Sequence, residues 1–171
     1  RGVPLGVSSW TVSPLSGLLL GLPGTGKRQL ASARGRRAAV NCVETSCAEW
    51  QRAGQLGNLL LAMRSSVDEA RKNAPCILFL DEIDAIGSRD SGDTHGSRYG
   101  AQVIAGLLEQ MDRTGLEEGL MVVGACNHPQ PIDPAILRAG RLHIQIAMPQ
   151  PNTVTTHQQR TARLQAKSQD E

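Results

Sequence analysis

A chain of 171 residues, 40% of them hydrophobic, is long enough to bury about 70% of the surface its unfolded form exposes, around one core. Only 2% of the residues are aromatic, so the core must be built from Leu, Ile, Val, Ala and Met, and stacking platforms for single-stranded nucleic acid are excluded. A net charge of +2, from 18 Lys and Arg against 16 Asp and Glu, excludes electrostatic capture of a polyanion over the whole surface.

Residues 1–14 read as an N-terminal segment. Leu15 to Leu20 reads as a first strand, ended by the glycine-rich turn Gly21 to Gly26, after which Lys27 to Arg34 is expected to be helical. Arg34, Arg36 and Arg37 read as a solvated helix end, and a second strand is expected over Ala38 to Val43. Leu59, Leu60, Met63, Val67 and Ala70 recur at helical spacing, in a helix that must end near Asn73 because Pro75 disfavours helix at the residue before it.

Cys76 to Leu80 reads as a buried central strand. Ser88 to Gly100, rich in Gly, Ser, Asp and Arg, reads as an exposed loop before a helix that turns Val103, Ile104, Leu107, Leu108 and Met111 inward. Leu120 to Ala125 is the fourth strand and Ile144 to Ala147 the fifth. Beyond Pro149 and Pro151 the chain turns polar, so 150–171 is expected to be a frayed helix or a disordered tail. Short apolar runs alternating with helical patterns predict an α/β fold, a five-stranded parallel sheet with helices on both faces.

Two features carry chemistry. Gly21-Leu22-Pro23-Gly24-Thr25-Gly26-Lys27 fits GxxxxGK between a strand and a helix. There, glycines let backbone N–H groups curl around phosphates, and the lysine reaches the terminal ones. Ile77-Leu78-Phe79-Leu80-Asp81-Glu82 sets two carboxylates at the carboxyl end of a buried strand, where ligands gather in open α/β sheets. Asp81 is the candidate to hold the water shell of Mg²⁺, and Glu82 to polarise an attacking water.

The position after Lys27 breaks the pattern. A hydroxyl residue that would ligand Mg²⁺ is replaced by Arg28, which has no lone pair to offer. A guanidinium about 4 Å from a divalent ion meets repulsion of roughly 8 kcal/mol at an effective dielectric of 20, so Arg28 is expected to turn away from the metal position.

Together these motifs bring out a resemblance. Cys76 to Arg89, CILFLDEIDAIGSR, resembles the Walker B segment of AAA ATPases, the P-loop family of ring unfoldases, proteasomal ATPases, membrane metalloproteases and microtubule-severing enzymes. Val122 to Asn127 is similar to that family's sensor strand, and Asp133 to Leu142 to its second region of homology. The likeness runs from about Leu15 to Pro149, the span 15–149 of the large subdomain.

It implies a three-layer P-loop sandwich that takes ATP and Mg²⁺. Gly21, Pro23, Gly24, Thr25, Gly26 and Lys27 would hold nucleotide, Asp81 the metal, and Glu82, Asn127 and Arg141 would serve catalysis, Arg141 as an arginine finger toward a neighbouring subunit. It further implies a ring of the same or related AAA subunits acting on a protein substrate, with no nucleic acid.

The departures are specific. Ile144 stands where the family carries a second finger arginine, with His143 where an acidic residue is usual, and Gln55-Leu56-Gly57 replaces the aromatic pore loop. Trp50, five residues upstream, reads as an anchor beneath that loop. Too little chain follows Pro149 for the helical lid subdomain. The leading reading is ATP binding and Mg-dependent hydrolysis coupled to protein remodelling. The alternatives are a non-hydrolysing subunit that acts structurally beside active ones, or a truncated product. A DNA-acting clamp-loader relative is disfavoured, since Ile83-Asp84-Ala85-Ile86 resembles the protein-remodelling branch.

Cys42, Cys47, Cys76 and Cys126 show neither CxxC nor a His at ligand spacing, which points to reduced thiols rather than zinc or disulfides. No apolar run approaches the ~20 residues that span a bilayer, so the chain is expected in the cytoplasm, with an anchor upstream of Arg1 left open.

Overall fold

The computed structural model describes residues 16–86, 94–114, 119–128 and 132–150. Five strands form one sheet in the order β2-β3-β4-β1-β5, every pairing parallel. In chain order they are β1 (Gly17–Leu20), β2 (Asn41–Ser46), β3 (Cys76–Asp81), β4 (Leu120–Cys126) and β5 (Ile144–Ala147). Helices α1 (Lys27–Ala38), α2 (Cys47–Arg52), α3 (Leu56–Lys72) and α4 (Thr94–Thr114) connect them, with a short 3₁₀ turn at Ile83–Ile86.

Because side chains alternate along a strand, β3 serves both layers. Ile77 and Phe79 pack with Ala31 of α1, while Leu78 and Leu80 join Leu59, Met63, Ile104 and Leu107 of α3 and α4. The sheet is thus covered by α1 on one face and by α2, α3 and α4 on the other, the α/β sandwich that the sequence predicts.

Gly35 explains why α1 carries a glycine amid arginines. Its missing side chain lets the helix approach β2, since a Cβ there would lie 3.2 Å from the Val40 carbonyl oxygen and 3.5 Å from Cys42 Cβ. The helix buries only a narrow stripe, Lys27, Ala31 and Gly35, and leaves Arg36 and Arg37 in its last turn, where cations suit the helix dipole.

Several boundaries differ from expectation. The helix runs through Ala38 and closes on Ala39 in the left-handed region, so the second strand starts at Asn41 rather than Ala38 and ends at Ser46 rather than Val43. This edge strand is half-exposed and polar, and its register is set by pairing with β3, Asn41 opposite Cys76 and Ser46 opposite Asp81. Thr94 to Gly100 is helical rather than loop, because the apolar stripe of Val103, Ile104, Leu107 and Met111 anchors α4 against the sheet and carries weak helix formers in its first turns. The expectations for Ser88 to Asp93, for 1–15 and for 151–171 lie outside the described residues.

The short helix α2 escaped the sequence reading. Ser46 caps it, its Oγ accepting from the Ala48 N–H at 3.2 Å, and Glu49 follows three residues later, the pattern of a capping box. Trp50 on α2 is 2% exposed, and its indole N–H donates to Ser66 Oγ at 3.2 Å. It is an anchor between α2 and α3, as expected. Gln55, Leu56 and Gly57 form the entry into α3, with Leu56 packed against the core.

A P-loop cleft at the carboxyl edge of the sheet

Parallel strands put all their carboxyl ends on one edge, and there β1, β3 and β4 open onto a cleft of about 370 Å³. Pro23, Gly24, Gly26 and Lys27 form one wall, Asp81 and Glu82 the other, and Asn127 lies between them. Gly24 and Gly26 have φ of 83° and 89°, a left-handed backbone that glycine adopts without strain. The loop therefore doubles back and delivers Lys27 as the first residue of α1.

Lys27 is 7% exposed. Its ammonium donates to the Gly21 carbonyl at 2.6 Å, to the Leu22 carbonyl at 3.2 Å and to Asn127 Oδ1 at 2.8 Å. Gly21 and Thr25 shape the loop from beneath. The Gly21 N–H donates to the Cys126 carbonyl at 3.3 Å and Thr25 Oγ1 to the Leu22 carbonyl at 2.9 Å. A Cβ on Gly21 would meet Met148 Cβ at 2.9 Å, so a side chain there would push the loop off β5's end.

Glu82 has φ 55°, a conformation that costs a non-glycine residue on the order of 1–3 kcal/mol and persists where its surroundings dictate it. Two contacts dictate it here. Ser46 Oγ donates to Glu82 Oε2 at 2.7 Å, and the Glu82 N–H donates to Asp81 Oδ1 at 3.0 Å. Ser46 was missed in the sequence because the strand that delivers it was ended three residues early. The parallel register that places Ser46 opposite Asp81 supplies the link.

Arg28 does the reverse of what its chemistry suggested. Its Nη2 lies 3.2 Å from Asp81 Oδ2 and its Nε 3.4 Å from Glu44 Oε2, so it clasps the carboxylate expected to hold the metal. Mg²⁺ needs oxygen ligands in near-octahedral order. The side chain after Lys27 offers none, and Asp81 is engaged by a cation. This donor set does not fit the ion.

Arg141 lies apart from the cleft lining. Its Nε and Nη2 donate to Asp112 Oδ1 and Oδ2 at 2.7 and 2.8 Å, and its Nη1 to the Ala135 carbonyl at 2.7 Å. These hydrogen bonds hold the Asp112 carboxyl below its usual range. The Cys126 thiol beside Asn127 is raised to about 11, chiefly by burial, and burial raises Cys47 and Cys42 likewise. These cysteines are protonated near neutral pH and are poor nucleophiles. Among the described residues no helix is long and apolar enough to cross a membrane.

A strand-loop-helix phosphate cradle with a buried lysine, facing two carboxylates on the adjoining strand end, defines a P-loop nucleotide site. Residues 17–150 match the family model described as ATPase family associated with various cellular activities (AAA). The chain belongs to that family.

Over 139 residues it is 40% identical to the ATP-dependent zinc metalloprotease FtsH 1 of Thermoanaerobacter sp. (strain X514), covering 80% of this chain and 23% of that protein. It is 38% identical over 140 residues to the FtsH of Caulobacter vibrioides, covering 81% of this chain and 22% of that one. The YME1 homolog of Caenorhabditis elegans is 39% identical over 140 residues, 81% of this chain and 19% of its own. The chain therefore spans about a fifth of the length of these relatives.

Proposed function

We propose that this chain binds ATP in the cleft between the P-loop and β3, and that within a ring of AAA subunits in the cytoplasm ATP turnover drives the remodelling of a protein substrate. The observation that carries the reading is Lys27, a nearly buried cation held by the Gly21 and Leu22 carbonyls and Asn127 at the mouth of a glycine loop. Phosphate oxygens are stronger acceptors for an ammonium than carbonyls, so the terminal phosphates of ATP take over these contacts. The N–H groups of the loop and the start of α1 face the same charge.

Glu82 orients and polarises the attacking water, fixed for that task by Ser46. Asn127, already bonded to Lys27, senses the terminal phosphate. Arg141 serves a neighbouring subunit, for which it must leave Asp112. Mg²⁺, implied by the family, does not fit this chain's donor set, so the roles above rest on the side chains themselves.

The clasp of Arg28 on Asp81 favours a second reading, an ATP-binding subunit that does not hydrolyse and acts structurally beside active ones. Phosphate release and ATP titration on wild type and Glu82→Gln test both. Under the first reading the substitution lowers release roughly 100-fold or more and leaves affinity within about threefold. ATP binding by wild type with no phosphate released at all selects the second, and no ATP binding by wild type overturns both.

A further inference from the structure

We propose that Arg28 stands in for the divalent ion, so that the site holds ATP without needing Mg²⁺. The inference rests on the ATP reading of this cleft and concerns what neutralises the phosphates once ATP is there.

Arg28 is the second residue of α1 and lines the cleft beside Lys27, Asp81 and Glu82. Its guanidinium spans two strands, reaching Asp81 at the end of β3 through Nη2 at 3.2 Å and Glu44 of β2 through Nε at 3.4 Å. Those two carboxylates fix it at the mouth of the P-loop, although its side chain is 61% exposed. A guanidinium carries five N–H donors in a planar fork that matches phosphate geometry, so two engaged nitrogens leave donors for a phosphate oxygen.

Its charge is permanent at any physiological pH and independent of metal supply. A divalent ion, by contrast, would have to displace Arg28 from Asp81 and then find no hydroxyl ligand at position 28. The arrangement that excludes the ion thus supplies a cation in its place, tethered to the same carboxylate.

The test is ATP titration into the full chain by calorimetry, in Mg²⁺ and again in EDTA, for wild type, Arg28→Thr and Arg28→Gln, with thermal unfolding to confirm that each variant is folded. The wild-type Kd is expected to agree within about threefold between the two buffers. Arg28→Thr regains a hydroxyl ligand and should lose at least about tenfold in affinity when Mg²⁺ is removed, while Arg28→Gln should bind weakly in both buffers.

A wild-type Kd that weakens about tenfold or more in EDTA overturns the inference and leaves the ATP reading standing. Arg28→Gln binding as tightly as wild type in EDTA also overturns it. If wild type binds ATP in neither buffer, the ATP reading itself falls and the inference with it.

Discussion

Lys27→Met is expected to weaken ATP binding roughly 100-fold, as the loss of one or more hydrogen bonds from a charged donor, each worth about 1.5–3 kcal/mol, would do. Met fills nearly the same volume along the buried stem. What disappears is the ammonium and its contacts to Gly21, Leu22 and Asn127. Gly21 is half-buried and Leu22 exposed, and the Leu22 carbonyl still accepts from Thr25 Oγ1 at 2.9 Å, so the unfolding midpoint should scarcely move. Calorimetric titration beside a thermal melt separates the two effects. Undiminished affinity would mean that the glycine loop is not the phosphate cradle.

Gly124→Val should have the largest effect on stability. Gly124 sits at the centre of the sheet, paired with Leu80 of β3 and Leu18 of β1. A Cβ there would overlap Ile83 and come within 2.6 Å of Leu142 Cδ1 and 3.1 Å of Leu18 Cδ1. All three neighbours are fully enclosed, so they must repack together, and overfilling a core in this way costs about 3 kcal/mol or more for a branched side chain. In urea the midpoint should fall with little change in slope. A wild-type midpoint would show that the centre of the sheet is looser than its packing implies.

What was legible in the sequence was what backbone chemistry or hydrophobicity spells out in consecutive letters. The turn Gly21 to Gly26 demands left-handed glycines, and the apolar runs that became β1, β3 and β4 could be placed nowhere but in a buried sheet. The edge strand β2 was misplaced by three residues because Asn41, Glu44, Thr45 and Ser46 are polar and half-exposed. Its position is decided by hydrogen bonds to β3, and those are a tertiary property.

The same holds for the site. Lys27, Asp81 and Glu82 were read from motifs, but the partners that fix them come from segments distant in sequence. Ser46 reaches Glu82, and Glu44 and Asp81 hold Arg28. The letters around Arg28 speak only of repulsion from a metal, whereas the fold brings it the attraction of Glu44 and Asp81.

The bond between Lys27 and Asn127 joins residues 100 positions apart in the chain. A fragment that lacks either half of the sheet cannot assemble both sides of the cleft, so ATP bound there would favour species in which both halves are folded. Every increment of binding free energy is then an increment of global stability: about 2.7 kcal/mol at a ligand concentration 100 times the Kd. On the ATP reading, bound nucleotide should raise the unfolding midpoint of the chain, which a thermal melt with and without ATP would show.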